Sequence, residues 1–246
     1  MVMSSLSAPE LLRAWERGLN QPLLQRSVVL LSFAYPQVSS GSLHRLAIGR
    51  RDAELLALRE RIFGSQMTGV AVCPGCGLRL DLTLDVTEMR TAGAAEPDAQ
   101  LSLSIGSYEL QFRSPTSEDL AEALDPDDPE GSETRLLSLC VLSAHYNGEP
   151  VSSDDLPVEI AAAVSESMAS ADPLADIRLA LSCPSCGQQW RAAFDIVSFL
   201  WREVESLATR LLREVHTLAT AYGWSENDIL TLSPARRHFY LSMLEA

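Results

Sequence analysis

Two nearly identical five-residue segments contain the residues of this chain best suited to chemistry. They read CPGCG at residues 73–77 and CPSCG at residues 183–187, and they contain four of the five cysteines. A structural zinc site takes four ligands in a tetrahedron, often all thiolates, and one such segment can supply only two of them. We therefore predict that the two segments bind one structural Zn²⁺ ion together. The predicted ligands are Cys73, Cys76, Cys183 and Cys186.

The residues between and after the cysteines are suited to tight turns around a metal. Pro74 and Pro184 fix the backbone angle φ inside each turn. Gly77 and Gly187 follow the second cysteine of each pair and can adopt positive φ. Backbone amides can then approach the sulfur atoms, so we predict that these four residues support the two turns.

The repeat continues beyond the cysteines. When the two copies are aligned, Leu80 corresponds to Trp190 and Leu84 corresponds to Phe194. Each copy then ends on an aspartate followed by an apolar residue, at residues 85–86 and 195–196. This pattern predicts that one small strand–turn–strand hairpin occurs twice in the chain.

Two other kinds of cysteine chemistry compete with a structural metal. A redox CxxC motif usually begins a helix, which lowers the thiol pKa, whereas a glycine and strand-like alternation follow here. A catalytic zinc site usually includes histidine or carboxylate ligands, and no histidine is spaced regularly from either segment. A dithiol redox protein remains the less favoured alternative.

Composition narrows the classes of partner. The chain has 246 residues, 46% of them hydrophobic, which is enough for a folded core. Its formal net charge of −14 opposes binding to nucleic acid or to anionic membranes and favours a basic protein surface. A zinc-ribbon regulator that binds nucleic acid is the main alternative, and the charge argues against it. The start of the chain lacks a signal-peptide pattern, so we expect a cytoplasmic protein without a membrane partner.

Helical periodicity dominates the two ends of the chain. Helices should begin near Pro9 and Pro22, because proline fits the first helical turn. An amphipathic helix should run from Arg50 to a stop at Gly64. One long helix should cover residues 196–222, and two short helices should close the chain.

The middle of the chain mixes strands with helices. Alternating apolar residues predict a half-buried strand at 78–84, and two short strands should turn near Gly106. Helices are predicted at about 134–144 and 158–168, with an acidic loop at 125–133 before them.

Local signals also mark helix starts and a linker. Thr116 with Asp119, and Ser225 with Asp228, have the spacing of capping boxes. The sequence AGAAEPDAQ at 92–100 is typical of a linker.

These elements predict an α+β fold. It should be mostly helical, with two strand–CPxCG–strand hairpins that pair into a four-cysteine zinc ribbon. We expect a single intertwined domain over residues 1–246, because the ribbon uses both halves of the chain. Its parts are a helical N-terminal part (1–65), the first knuckle with its strands (66–113), a helical insertion (114–175), the second knuckle (176–195) and the C-terminal helices (196–246).

Aromatic and arginine residues gather near the C-terminus. Residue types of this kind dominate protein interfaces, so Trp224, Arg236, Arg237 and Tyr240 are candidates for binding a partner. A helical cap on the core is an equally good interpretation of the same composition. The chain lacks phosphate-binding loops, nucleophile elbows and metalloprotease motifs, and we therefore expect a protein that is not an enzyme.

Several segments resemble a known family. They are GRRDAELLALRERIFG, VCPGCG, FRSPTSEDL, SCPSCG with FDIVSFLW, and LLREVHTLATAYGWSENDILTLSPARRHFYL. They are similar to zinc-ribbon baseplate or tail-assembly proteins of contractile phage tails and phage-like contractile injection systems, which are grouped with the T4-type baseplate hub assembly chaperones. The resemblance runs from about Gly49 to the end of the chain.

This resemblance implies a structural or chaperone-like assembly protein without enzymatic activity. Its partners would be baseplate, hub or other tail proteins, and it could be incorporated in a phage tail-like particle. The two cysteine segments match directly, so the resemblance also implies that the four cysteines bind zinc.

Overall fold

The computed structural model describes residues 3–4, 6–92 and 100–244. Helices predominate and the strands form small antiparallel groups, so the predicted α+β class is confirmed. The predicted linker at 92–100 lies mostly outside the described residues, which end at Ala92 and resume at Gln100. In the described parts of the chain, no helix is both long enough and apolar enough to cross a membrane.

The helices and strands have the following bounds. The helices are α1 (Ala8–Gly18), α2 (Leu23–Ala34), α3 (Ser40–His44), α4 (Ile48–Phe63), α5 (Val86–Ala92), α6 (Ser117–Ala123), α7 (Pro129–Cys140), α8 (Val158–Ala171), α9 (Ile196–Tyr222), α10 (Glu226–Thr231) and α11 (Pro234–Ser242). The strands are β1 (Gln66–Val72), β2 (Arg79–Asp85), β3 (Leu101–Ile105), β4 (Tyr108–Phe112), β5 (Val141–Tyr146), β6 (Glu149–Pro150), β7 (Arg178–Ser182) and β8 (Gln189–Ala193). Short 3₁₀ turns occur at Ser153–Asp155 and Pro173–Asp176.

The chain divides into two compact units. The helical unit consists of Met1–Val38 together with Ile196–Ala246, and the ribbon unit consists of Ser39–Asp195. The helical unit contains α1, α2 and α9 to α11. The ribbon unit contains every strand and the remaining helices.

The helical unit is built on α9, which has the bounds that the sequence predicts. Apolar residues at helical spacing form its buried stripe. They include Leu200, Val204, Ala208, Leu211 and Leu218. The other four helices of the unit pack on this helix. The guanidinium of Arg26 lies 4.7 Å from the centre of the Trp201 ring, so a cation–π contact also joins α2 to α9.

The ribbon unit has a core between a sheet and a helix. Strands β3, β4, β5 and β6 form an antiparallel sheet in that order. One face of this sheet packs against α8, and the core is apolar. Its buried residues are Leu110, Phe112, Ala144, Ile160 and Val164.

Residues 125–146 differ in two respects from the secondary structure that the sequence predicts. The expected acidic loop at 125–133 is helical from Pro129, because the Asp128 side chain accepts a hydrogen bond from the Gly131 amide and caps α7. The helix expected at 134–144 ends at Cys140, and the predicted helical insertion therefore also contributes β5 and β6. Strand β5 forms because it pairs with β4 and buries Ala144 in the core.

Helix α4 is amphipathic as predicted, but its buried face also includes charged residues. Leu55 and Leu56 are fully buried, and Arg51 and Asp52 are buried as well. The Gly49 amide donates a hydrogen bond to the Asp172 carboxylate at 2.9 Å. This contact places the first turn of α4 against the end of α8.

We expect Gly49→Ala to destabilise the protein by on the order of 2 kcal/mol, because the new methyl group would overlap the Asp172 carboxylate. Gly41→Ala in α3 is the matched control, since its methyl group would meet only the flexible end of Arg45. Alanine is the better helix former, so the control should be neutral or stabilising by up to ~1 kcal/mol. Chemical denaturation of both variants measures the difference, and equal stabilities would contradict this account.

Candidate metal centre

The two cysteine segments connect the strands of two hairpins with matching backbones. Strand β1 pairs with β2 and β7 pairs with β8, both antiparallel. The Cys73 amide donates a hydrogen bond to the Leu78 carbonyl at 2.9 Å, and the Cys183 amide donates to the Gln188 carbonyl at 2.8 Å. The sequence repeat is therefore a repeat of structure.

Each turn closes on its glycine in the same way. The Gly77 amide donates to the Cys73 carbonyl at 2.9 Å, and the Gly187 amide donates to the Cys183 carbonyl at 3.0 Å. Both glycines have a φ of 73°, a conformation that strains any residue with a Cβ. Pro74 and Pro184 lie inside these turns.

The four cysteines of the two turns meet at one point. The Sγ atoms of Cys73 and Cys186 are 3.6 Å apart, as are those of Cys76 and Cys183. All four sulfur atoms lie within 4.8 Å of one another. A tetrahedron with metal–sulfur bonds of about 2.3 Å has edges of about 3.8 Å, so this cluster has the size of a four-thiolate metal site.

The two turns also contact each other around the cluster. A Cβ at Gly75 would lie 3.5 Å from the Gln188 side chain and 3.6 Å from the Cys186 sulfur. Cys73 and Cys183, the first cysteine of each pair, are buried, whereas Cys76 and Cys186 are exposed. The cluster thus has approximate twofold symmetry, with one edge inside the protein and one edge facing solvent.

The cluster joins segments that no shared sheet holds together. Hairpins β1–β2 and β7–β8 are separate two-stranded sheets. The paired cysteines are 107 and 113 positions apart in the chain. Joining such distant segments costs chain entropy, and a bound metal would supply the free energy to offset it.

The thiols of Cys183 and Cys186 have different pKa values because their hydrogen bonds differ. The backbone amides of Cys186 and Ser185 donate to the Cys183 sulfur and lower its pKa to about 7. The Gln188 amide lowers the pKa of Cys186, but the hydrogen bond with the Cys76 thiol, desolvation, and hydrogen bonds with the Cys73 and Cys183 thiols together raise it to about 12. A bound cation would compensate the negative charge of thiolate ligands at this cluster. A tetrahedral set of four sulfur ligands suits zinc or iron.

The C-terminal candidates for partner binding occupy different environments. Trp224 and Tyr240 are partly buried, Arg236 is exposed and Arg237 is buried. The Arg237 guanidinium donates to the Glu214 carboxylate at 2.9 Å and to the Leu232 carbonyl at 2.7 Å. Arg237 therefore holds α11 to α9 inside the helical unit.

Four aromatic rings form one cluster at this end of the helical unit, which we call the aromatic cluster. Trp224 stacks on Tyr222 with the ring centres 4.7 Å apart, and it meets the edge of Tyr240 at 4.9 Å. Phe239 contacts Tyr240 and is 62% exposed. Tyr222 and Phe239 belong to the same aromatic- and arginine-rich C-terminal part of the chain as the four candidates for partner binding, although neither is among those four.

A second group of buried polar residues was also missed. Arg51, Asp52 and Asp172 are buried in the ribbon unit. The signal available in the sequence was the position of Arg51 and Asp52, one turn before Leu55 on the apolar side of α4. The sequence around these residues contains no signal that they lie near Asp172, which is 120 positions or more away.

A model of a known protein family matches most of the chain. The model of the family described as T4 bacteriophage base plate protein matches residues 34–201. The match covers more than half of the chain and includes both cysteine segments. No curated protein matches the chain significantly, and no solved structure does so.

We expect one metal ion per chain in protein purified without chelator or added metal, as measured by native mass spectrometry. Cys73→Ser and Cys186→Ser should abolish the bound metal, because each removes one corner of the tetrahedron. Cys140→Ser is the matched control, since this cysteine is buried outside the cluster. Metal-free protein whose four thiols are free or paired as disulfides would contradict the metal site and favour redox chemistry.

Proposed function

The chain belongs to the T4 bacteriophage base plate protein family, and from this premise we propose that it is a structural or assembly protein of a contractile-tail baseplate, without enzymatic activity. The family match over residues 34–201 carries this proposal. The finer role is chaperone-like: the protein binds baseplate, hub or other tail subunits while a phage tail or a phage-like injection system is assembled. That work takes place in the cytoplasm of the producing cell.

We propose that the metal is zinc and that its role is structural. Four cysteine ligands complete a tetrahedral shell and leave no open position for a substrate, as in structural zinc sites. A glycine and then a strand follow each turn, whereas redox CxxC motifs usually begin a helix. Zinc would hold the two hairpins of the ribbon unit in register.

Zinc removal should loosen the ribbon unit. We expect chelation to lower the unfolding midpoint by on the order of 10 °C, because the free energy of metal binding contributes to folding. Amide hydrogen exchange in β1–β2 and β7–β8 should accelerate and should recover when Zn²⁺ is added back. An unchanged midpoint after verified zinc removal would contradict a structural role for the metal.

We propose that the aromatic cluster is the surface that binds the partner subunits. Aromatic side chains supply large contact areas at little cost in conformational entropy, and exposed arginines often accompany them. Trp224, Tyr240 and the exposed Arg236 belong to this surface, while Arg237 supports it from within. Nucleic acid and membranes are not expected partners, because the net charge of −14 repels anionic surfaces.

Co-expression and co-purification with candidate baseplate and hub proteins from the same genome test the proposed function. We expect a stable complex that Trp224→Ala or Tyr240→Ala weakens by at least about tenfold, as loss of an interface anchor does. Arg202→Ala is the matched control, since Arg202 is an exposed residue of α9 in the same unit. Co-purification with none of these proteins would contradict the proposal.

The finished particle distinguishes a chaperone from a permanent subunit. We expect mass spectrometry of purified particles to lack the protein if its role is transient, while its deletion still prevents baseplate assembly. Stoichiometric retention in the particle would instead show that it is a permanent structural component. Normal particles from a deletion strain would contradict both roles.

A further inference from the structure

The ribbon unit contains a cleft that is separate from the cysteine cluster. Its volume is about 870 Å³, within the range of about 300–1,000 Å³ that is typical of sites for small ligands or short peptide segments. Helices α4, α7 and α8 and strands β7 and β8 contribute its walls. None of the four clustered cysteines lines it.

One wall of the cleft carries a buried ion pair. The Arg51 guanidinium lies 2.7 Å from the Asp52 carboxylate and donates a second hydrogen bond to the Ser117 hydroxyl at 3.0 Å. Both side chains are at least nine-tenths buried. A buried pair of this kind contributes little net stability, because desolvation offsets the attraction.

Negative charge dominates the same wall. Asp172 is buried beside the pair and accepts a hydrogen bond from Gly49, and Asp195 also lines the cleft. Burial raises the pKa of Asp52 to about 6; Arg51 opposes this shift, while the charges of Asp195 and Asp172 add to it. The charges of Asp172 and Asp195 therefore act against ionisation of Asp52, and the charge of Arg51 favours it.

The rest of the cleft combines an apolar surface with further acidic groups. Its apolar lining includes Ile48, Leu120, Leu136, Met168 and Phe194. Glu133, Asp176, Arg178 and Arg191 complete its charged lining. Arg178 is paired with Asp176 at 2.8 Å. Because five acidic residues and three arginines line the cleft, its formal net charge is negative.

The distribution of charge along the chain favours a cationic occupant. Acidic and basic residues balance in the helical unit, so the ribbon unit carries the whole formal net charge of −14. Among the residues that the structure describes, the cysteine cluster alone has the spacing of a metal site, so the three aspartates do not form a compact cage for a metal ion. A larger organic cation fits their separation better.

We propose that this cleft binds a basic side chain, most favourably arginine, carried on an apolar segment of a partner protein. The planar guanidinium would donate to the carboxylates, and the neighbouring apolar residues of the segment would contact the apolar lining. This chemistry rests on the cleft alone. The identity of the partner as another baseplate subunit rests on the proposed function.

Binding of benzoyl-arginine amide to the full-length protein tests the proposal, with benzoyl-citrulline amide as the uncharged probe of nearly the same shape. The methionine methyl groups, labelled with ¹³C, report the binding by NMR. We expect the arginine probe to shift the Met168 signal, which lies in the cleft, and to leave Met67 in β1 and Met243 near the C-terminus unchanged. The citrulline probe should bind at least about tenfold more weakly, because it lacks the charge-assisted hydrogen bonds.

The affinity of the arginine probe, measured in variants and as a function of pH, shows whether it binds at Asp52. Asp52→Asn should weaken the arginine probe by about tenfold, whereas Asp81→Asn removes the same charge from the exposed face of β2 and should have no effect. In the unmodified protein, affinity for the arginine probe should fall as the pH drops below about 6, where Asp52 gains a proton beside Arg51, Asp172 and Asp195. The pH series gives the same test if Asp52→Asn does not fold.

Three results would overturn the proposal: equal affinity for both probes, an unshifted Met168 signal at saturating probe, or affinity that does not change between pH 5 and pH 7. Binding of the arginine probe by a protein that fails to join baseplate subunits would contradict the proposed function and leave the cleft chemistry supported. Co-purification with baseplate subunits but no probe binding would support the proposed function and contradict the cleft chemistry.

Discussion

The structure depends on four sulfur atoms from two distant hairpins lying at the spacing of one tetrahedron. The paired cysteines are more than a hundred positions apart, and the hairpins belong to different sheets. Everything between the two turns, including the four-stranded sheet and helices α6 to α8, lies in a loop that the cluster closes. A bound metal would thus fix both ends of the folded segment that forms most of the ribbon unit.

The sequence predicted the features that have local causes and the one distant feature that a repeat marks. The cysteine cluster followed from the repeated segments, because each supplies half of a tetrahedral shell. Helix α9 followed from its apolar period, and the capping boxes at Thr116 and Ser225 occur where their spacing placed them. For the helix and the capping boxes, the residues that determine the structure lie within a few positions of one another. The cluster joins residues more than a hundred positions apart, and it was predictable because the repeat marks both of its halves.

Features that depend on distant partners without any repeat to mark them were missed or wrongly predicted. Residues 141–144 have apolar positions compatible with a helix, but pairing with β4 makes them a strand. The buried charges of the cleft come from α4 and from the end of α8, and the exposed Asp195 adds a charge after β8. Asp172 and Asp195 look like ordinary surface aspartates in the sequence, and only the folded chain shows that they lie near Arg51 and Asp52.

The exposed edge of the cysteine cluster makes the link between the two hairpins sensitive to oxidation. Cys76 and Cys186 face solvent and come from different hairpins, with their sulfur atoms within 4.8 Å of each other. In a reducing cell the thiols of this edge would be available to bind a metal, but in an oxidising environment thiols this close can form a disulfide. A disulfide between Cys76 and Cys186 would then keep the two hairpins covalently linked after loss of the metal.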